Sequence, residues 1–238
     1  MNILLLGYGK MGRAIEKIAL ERGHTIAGRI TIENRHELTI EQVKQADVAI
    51  EFSEPEAAVS NIKLCLDNGV PVLSGTTGWL DQKEAIDAYA IEKNGTFFYA
   101  SNFSIGVNLF FKLNKTLASL MERYNEYSVD MEEIHHTEKK DAPSGTAITL
   151  AEGIMSVNSS IKKWVNEPSD QKDTLPIISK REPEVPGTHT VRYFSKIDEI
   201  EIKHTAYSRE GFASGAVYVA EWISDKKGVL SMEDFLQL

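Results

Sequence analysis

The run Asn2-Ile3-Leu4-Leu5-Leu6-Gly7-Tyr8-Gly9-Lys10-Met11-Gly12 decides the fold. An apolar strand pattern, a Gly-x-Gly-x-x-Gly turn and a helical pattern in direct succession open a dinucleotide-binding βαβ unit. Gly7 permits the tight turn, Gly9 lets backbone approach a pyrophosphate, and Gly12 allows close helix–strand packing. Free N–H groups at the helix start face the phosphates. Lys10, Met11 and Arg13 sit beside the phosphate position. A merely structural glycine turn is the competing reading, and the strand before and helix after count against it.

Outward from this turn, β-rich runs alternate with helical patterns through the first hundred residues. The strands expected are Asn2–Leu6, Thr25–Ile30, Asp47–Phe52, Pro71–Leu73 and Thr96–Ala100, and the helices Met11–Arg22, Pro55–Asn68 and Leu80–Lys93. This is a Rossmann-type, doubly wound α/β layout with a parallel sheet. Residues 31–45 hold only a short helix. After Asn102 the alternation stops. Gly106–Tyr124 reads as one long helix, Tyr127–His136 as an extended segment, and Thr146–Met155 as a helix opened by Ser144-Gly145. Four of the seven prolines fall between Pro168 and Pro186, in a polar stretch that reads as loop. Strands at Thr188–Ser195 and Glu199–Ala206 and a helix at Phe212–Ile223 follow, then a short tail of mixed charge. The chain therefore divides into a discontinuous nucleotide domain (1–105 and 209–238) and a middle α+β domain (106–208).

The chain has 238 residues, with 35 Asp and Glu against 26 Lys and Arg, so its net charge is −9. Such a balance excludes broad electrostatic capture of nucleic acid or an anionic membrane, and any anion site must be built locally. No stretch approaches a transmembrane span and the N-terminus carries no basic leader pattern, so a cytoplasmic protein is expected. The single cysteine, Cys65, lies on the apolar side of a helix and reads as buried filler.

NAD-selective sites usually place an acid at the end of the second strand. Here that strand ends Ala27-Gly28-Arg29-Ile30, and Arg29 favours a 2′-phosphate, hence NADPH over NADH. Three more stretches fall at the carboxyl ends of strands, where ligands of open α/β sheets bind: Phe52-Ser53, Gly75-Thr76-Thr77-Gly78 and Ser101-Asn102-Phe103. Thr77 and Asn102 offer hydrogen bonds and Phe103 an apolar face. The densest chemistry is Glu133-Ile134-His135-His136-Thr137-Glu138-Lys139-Lys140-Asp141-Ala142-Pro143-Ser144-Gly145-Thr146. The Ser144-Gly145-Thr146 helix start can hold a carboxylate, while Lys139 and a histidine can hold a second one or donate a proton. Adjacent histidines on a strand point to opposite faces and no third ligand stands at useful spacing, so no metal is expected.

These stretches resemble the dihydrodipicolinate reductase family from end to end. Gly7–Arg13 resembles its nucleotide loop, Gly75–Gly78 its nicotinamide loop, Ser101–Asn108 the segment leading into its hinge, and Glu133–Thr146 its signature E-x-H-H-x-x-K-x-D-A-P-S-G-T. Pro186–His189 and Ser208–Ala216 resemble further family segments. The resemblance implies reduction of 4-hydroxy-tetrahydrodipicolinate in lysine and diaminopimelate synthesis, by domain closure over a small dicarboxylate substrate, in a homotetramer. It implies that His135 and Lys139 are the acid–base pair and that His136, Lys139, Gly145 and Thr146 bind the substrate carboxylates. Two alternatives compete. A non-catalytic Rossmann redox sensor leaves the His135–Thr146 cluster unused, and another two-domain NAD(P)-dependent amino-acid dehydrogenase gives no reason for Asp141–Thr146.

Overall fold

β1 (Asn2–Leu6) sends alternate side chains into two separate apolar layers, Ile3 and Leu5 into one and Leu4 and Leu6 into the other. It is an interior strand of a doubly wound sheet in a computed structural model that describes residues 1–208 and 210–238. α1 (Lys10–Glu21) follows the glycine turn, then β2 (Thr25–Ile30), a 3-10 turn, α2 (Ile40–Lys44) and β3 (Val48–Glu51). Thr39 and Gln42 form a capping box that fixes the start of α2. α3 (Pro55–Asp67), β4 (Val72–Ser74), α4 (Lys83–Glu92) and β5 (Thr96–Tyr99) complete the alternation. β1 pairs in parallel with β2 on one side and β3 on the other, which sets the topological switch point beside Gly7. Cys65 on α3 is fully buried, and desolvation pushes its thiol up to about 12.

The chain then builds a second unit, residues 106–208 of those described. It contains nearly all of α5 (Ile105–Met121), then β6 (Ser128–His135), α6 (Gly145–Val157), β7 (Lys163–Val165), β8 (Thr174–Arg181), β9 (Gly187–Phe194) and β10 (Glu199–Ala206). The strands form a mixed sheet in the order β10-β9-β6-β8-β7. Its core joins Phe110, Ala118 and Met121 of α5 and Leu150 and Ile154 of α6 to Met131, Leu175, Ile177, Val191 and Tyr193 of the sheet. The other sheet face carries cross-strand ion pairs instead, such as Arg192 with Asp130 at 2.6 Å and Lys180 with Glu132 at 2.6 Å.

One sequence expectation is corrected here. The proline-rich stretch is not all loop, because Thr174–Arg181 is the interior strand β8 and buries Leu175 and Ile177. Pro176 is tolerated because it pairs with Val165 of β7 and precedes Ile177, the first rung shared with β6. The mixed-charge tail holds two elements: after α7 (Glu210–Ile223) the chain forms β11 (Gly228–Leu230), parallel to β5, and α8 (Met232–Leu236). These return to the first unit, Met1–Ile105 with Glu210–Leu238, and complete the sheet order β11-β5-β4-β3-β1-β2. The expected start of the return at residue 209 lies outside the described residues. No helix among the described residues is long and apolar enough to cross a membrane.

Candidate active site

In the first unit the glycines of the turn after β1 have distinct physical reasons. Gly7 has φ +101°, and a Cβ there would stand 2.0 Å from the Phe52 carbonyl oxygen. A Cβ on Gly12 would meet the Gly7 carbonyl oxygen at 2.4 Å. Both are required by packing alone. Gly9 differs, because nothing lies within 4 Å of its would-be Cβ. Its bareness serves no internal contact and leaves backbone open to a ligand. Lys10 and Arg13 are exposed beside it, and Met11 is half-buried.

The loops at the ends of β3 and β4 share one acceptor that the sequence reading overlooked. Glu51, fully buried, accepts from the Ser74 hydroxyl at 2.6 Å, the Thr76 hydroxyl at 3.0 Å and the Ser53 N–H at 3.1 Å, as well as from the Ser53 hydroxyl. The Ser53 N–H also donates to Thr76 Oγ1 at 2.9 Å. Gly75 allows the Phe52 ring to lie where a Cβ would meet it at 2.2 Å. Phe103, expected to offer a free apolar face, is only 2% exposed, with its ring packed on Phe52 and Phe98 at centroid distances of 5.4 and 5.8 Å. It shapes the rim from beneath. Thr77 and Ser101 are exposed, and Asn102 is half-buried with its side-chain oxygen accepting from the Ser104 N–H at 2.9 Å. Arg29 at the end of β2 is not solitary, since it bonds Glu16 of α1 with its Nε at 2.8 Å.

In the second unit, sheet register assembles what the sequence scatters. Glu133 of β6 lies opposite Ser179 of β8 and His189 of β9, and His135 lies opposite Arg181. The Glu133 carboxylate, 0% exposed, accepts from the Ser179 hydroxyl at 2.7 Å and from the Ser144 N–H at 3.1 Å to each oxygen. His135 Nδ1 lies 3.3 Å from it, Arg181 Nη1 3.6 Å and His189 Nε2 3.7 Å. Burial alone raises its pKa, but the donors from both histidines, Ser144 and Ser179 outweigh this and hold the carboxyl far below the usual range. Burial lowers the His189 pKa against the opposing pull of Glu133 and so favours the neutral ring.

Ser144 caps α6, accepting from the Ala147 N–H at 3.2 Å, and its hydroxyl meets His189 Nε2 at 3.1 Å. Gly145 is exposed and Thr146 half-buried in the first turn, where helix N–H groups lack intrahelical partners. Lys139 donates to both Asp141 carboxylate oxygens at 2.9 and 2.8 Å, which lowers the Asp141 carboxyl. Arg181 reaches this loop from the sheet and donates to the Lys139 carbonyl at 3.3 Å and the Asp141 carbonyl at 2.6 Å. His136 is half-buried, and as a neighbour of His135 on an extended chain it takes the opposite face.

Ser179, Arg181 and His189 were missed by sequence reasoning. The first two lie in the stretch read as loop, and only the Pro186–His189 resemblance touched the third. His189 also corrects the argument against a third metal ligand, because Glu133, His135 and His189 offer ligand atoms within 4.8 Å of one another. The donor set does not favour a cation. Glu133 is already bonded to an N–H and an O–H, with a guanidinium beside it, and a divalent ion would have to displace them.

The fold, a dinucleotide-type α/β unit followed by a mixed-sheet unit, is that of a nicotinamide-nucleotide-dependent oxidoreductase. Residues 1–103 match the family described as dihydrodipicolinate reductase, N-terminus, and residues 106–236 match its C-terminus. The chain belongs to the dihydrodipicolinate reductase family. A relative in Christiangramia forsetii named 4-hydroxy-tetrahydrodipicolinate reductase is 52% identical, with 99% of this chain and 98% of that one covered. One of the same name in Archaeoglobus fulgidus is 34% identical, with 96% of each covered. The dipicolinate-bound dihydrodipicolinate reductase of Paenisporosarcina sp. TG-14 shares the fold, with TM-score 0.77, 24% identity and 99% of each chain covered.

Proposed function

We propose that the chain reduces 4-hydroxy-tetrahydrodipicolinate to tetrahydrodipicolinate, the lysine and diaminopimelate step of its family, with His135 and Lys139 as acid–base pair. One observation carries the residue assignment. Glu133 ties His135 to the N-terminus of α6 through the Ser144 N–H, and Arg181 ties that carboxylate to the backbone of Lys139 and Asp141. A proton donor, a cation and a helix N-terminus thereby share one support.

Substrate and product differ by a hydroxyl replaced by hydrogen, so the reaction takes up one hydride and one proton and releases water. Bound reduced nicotinamide supplies the hydride. His135, held from its Nδ1 side by Glu133, directs Nε2 toward Gly187, where the absence of a side chain leaves the ring room. Lys139 and His136 supply positive charge, and Gly145 and Thr146 supply N–H donors, for the two carboxylates. Lys139 exchanges or shares its Asp141 contact when a substrate carboxylate arrives. Glu133, His135 and His189 act as an electrostatically coupled set without metal.

The open backbone at Gly9 fits a dinucleotide, with Gly7, Lys10, Met11 and Gly12 around the pyrophosphate. Phe52, Ser53, Gly75, Thr76, Thr77, Ser101, Asn102 and Phe103 form the nicotinamide rim. Arg29 favours NADPH over NADH by meeting a 2′-phosphate. The second unit mediates assembly into a homotetramer, for which its uncovered sheet face and the exposed Ile200 of β10 are suited. The compartment is the cytoplasm.

The test is a coupled assay in which a dihydrodipicolinate synthase makes the substrate from pyruvate and aspartate semialdehyde while loss of reduced nicotinamide is followed. Turnover is expected, and Lys139→Ala and His135→Gln each lower it about 10²- to 10⁴-fold. Absence of nicotinamide oxidation overturns the activity, and near-parental rates in both variants overturn the residue roles.

A further inference from the structure

Glu16 lies on α1, away from any motif, yet it occupies the place that matters for nucleotide choice. One of its oxygens accepts from both Nε and Nη2 of Arg29, and the other accepts from the Tyr8 hydroxyl. Its side chain is 12% exposed while that of Arg29 is 45% exposed, so the acid lies beneath the guanidinium. Arg13 stacks over the Tyr8 ring with its Cζ 4.8 Å from the centroid, and it makes no salt bridge among the described residues. Two arginines, one tyrosine and one carboxylate thus form a closed cluster at the end of β2. In a Rossmann domain the adenosine ribose meets the protein there.

We propose that Glu16 is a specificity-determining residue for the nucleotide, because it engages Arg29 and withholds that guanidinium from a 2′-phosphate. The inference rests on the reading that the adenosine end of the nucleotide lies against β2. A guanidinium binds carboxylate and phosphate through the same fork of N–H donors. A 2′-phosphate must therefore displace Glu16 or share Arg29 with it, while a ribose hydroxyl need not. The cluster carries two positive charges and one negative, so removal of the acid doubles its net charge where a phosphate dianion would sit. The missing acid at the end of β2 is replaced from the neighbouring helix, and it acts by restraining Arg29. The two nucleotides are thereby kept closer in affinity than Arg29 alone would set them.

NADPH and NADH are titrated into the parent, Glu16→Gln, Arg29→Gln and the double variant, in the absence of substrate. Gln keeps the length of the side chain and an acceptor for Tyr8, and thermal melting confirms that each variant is folded. Glu21→Gln removes the same charge from the same helix and serves as a control for the general field. The expected result is about a tenfold rise in the NADPH-to-NADH affinity ratio in Glu16→Gln, absent from Glu21→Gln and abolished when Arg29→Gln is added. A rise under threefold, a fall, or a rise that survives Arg29→Gln overturns the proposal. If the parent binds NADH more tightly than NADPH, the preference proposed above fails, whereas Glu16 is judged on the change in ratio alone. If neither nucleotide binds the parent, both readings fall.

Discussion

Replacing Glu133 by Gln changes one atom at the meeting point of three strands and a helix, and the cost follows from what faces it. The carboxylate receives the Ser144 N–H and the Ser179 hydroxyl and is approached by His135, His189 and Arg181. The amide keeps one acceptor oxygen and turns the other into an NH2 group directed at donors, beside a guanidinium that has lost its counter-charge. Breaking a buried pair from one side costs about 3–5 kcal/mol, and a buried unsatisfied donor about 1–3 kcal/mol. Because the amide retains half of its bonding, about 3 kcal/mol is expected. In a chain of this size that lowers the melting temperature by roughly 6–12 °C, at about 2–4 °C per kcal/mol. The sign with pH is also fixed. A carboxyl whose folded pKa is depressed contributes stability that is present above its unfolded pKa of about 4.3 and lost as pH falls toward the folded value. The gap between parent and variant, measured by circular dichroism, should therefore be widest near neutrality and shrink toward pH 3. Melting temperatures within 2 °C at pH 7, or a gap unchanged on acidification, refute the reasoning.

Two further outcomes follow from the geometry. Gly7→Ala should destabilise the first unit by several kcal/mol, since it forces a Cβ against the Phe52 carbonyl in a left-handed conformation, whereas Gly9→Val should leave melting almost unchanged and weaken NADPH binding at least tenfold; equal effects of both on melting would show that the two glycines do not have separate roles. His189, lowered by burial, contributes stability that is complete above its unfolded pKa of about 6.5 and declines as pH falls below it, so melting followed from pH 7.5 to 5 should drop less in His189→Gln than in the parent, with equal slopes contradicting the assignment.

The nucleotide half was legible because its signals are local. A strand, a glycine turn and a helix within some twenty residues leave few alternatives, and β1, α1 and β2 fall close to their expected bounds. The second half was legible only where one segment carries its own periodicity, as in α5, β6 and β10. β8 was lost because Pro176 and the flanking prolines mimic a loop, and the feature that permits the proline is the neighbour it lacks. With β8 went Ser179 and Arg181, whose roles depend on lying in register with Glu133 and His135. The Glu133–Thr146 run was visible as chemistry from its composition, but its support was not, because that support arrives through strand pairing from residues far along the chain. Glu16 was hidden differently, as an ordinary acid on a helix face that acquires meaning only where β2 ends.

Glu51 bears on how such a rim can change over generations. Four donors from the ends of two strands converge on one buried carboxylate, so no hydroxyl among Ser53, Ser74 and Thr76 has a private partner. Loss of one alters the acceptor seen by the others, and replacements at these positions will be strongly non-additive. This rim at the ends of β3 and β4 is thus inherited as a block. A lineage altering it must pass through combinations in which a charge is left under-bonded in the core, which restricts the accessible routes far more than the tolerance of any single position would suggest.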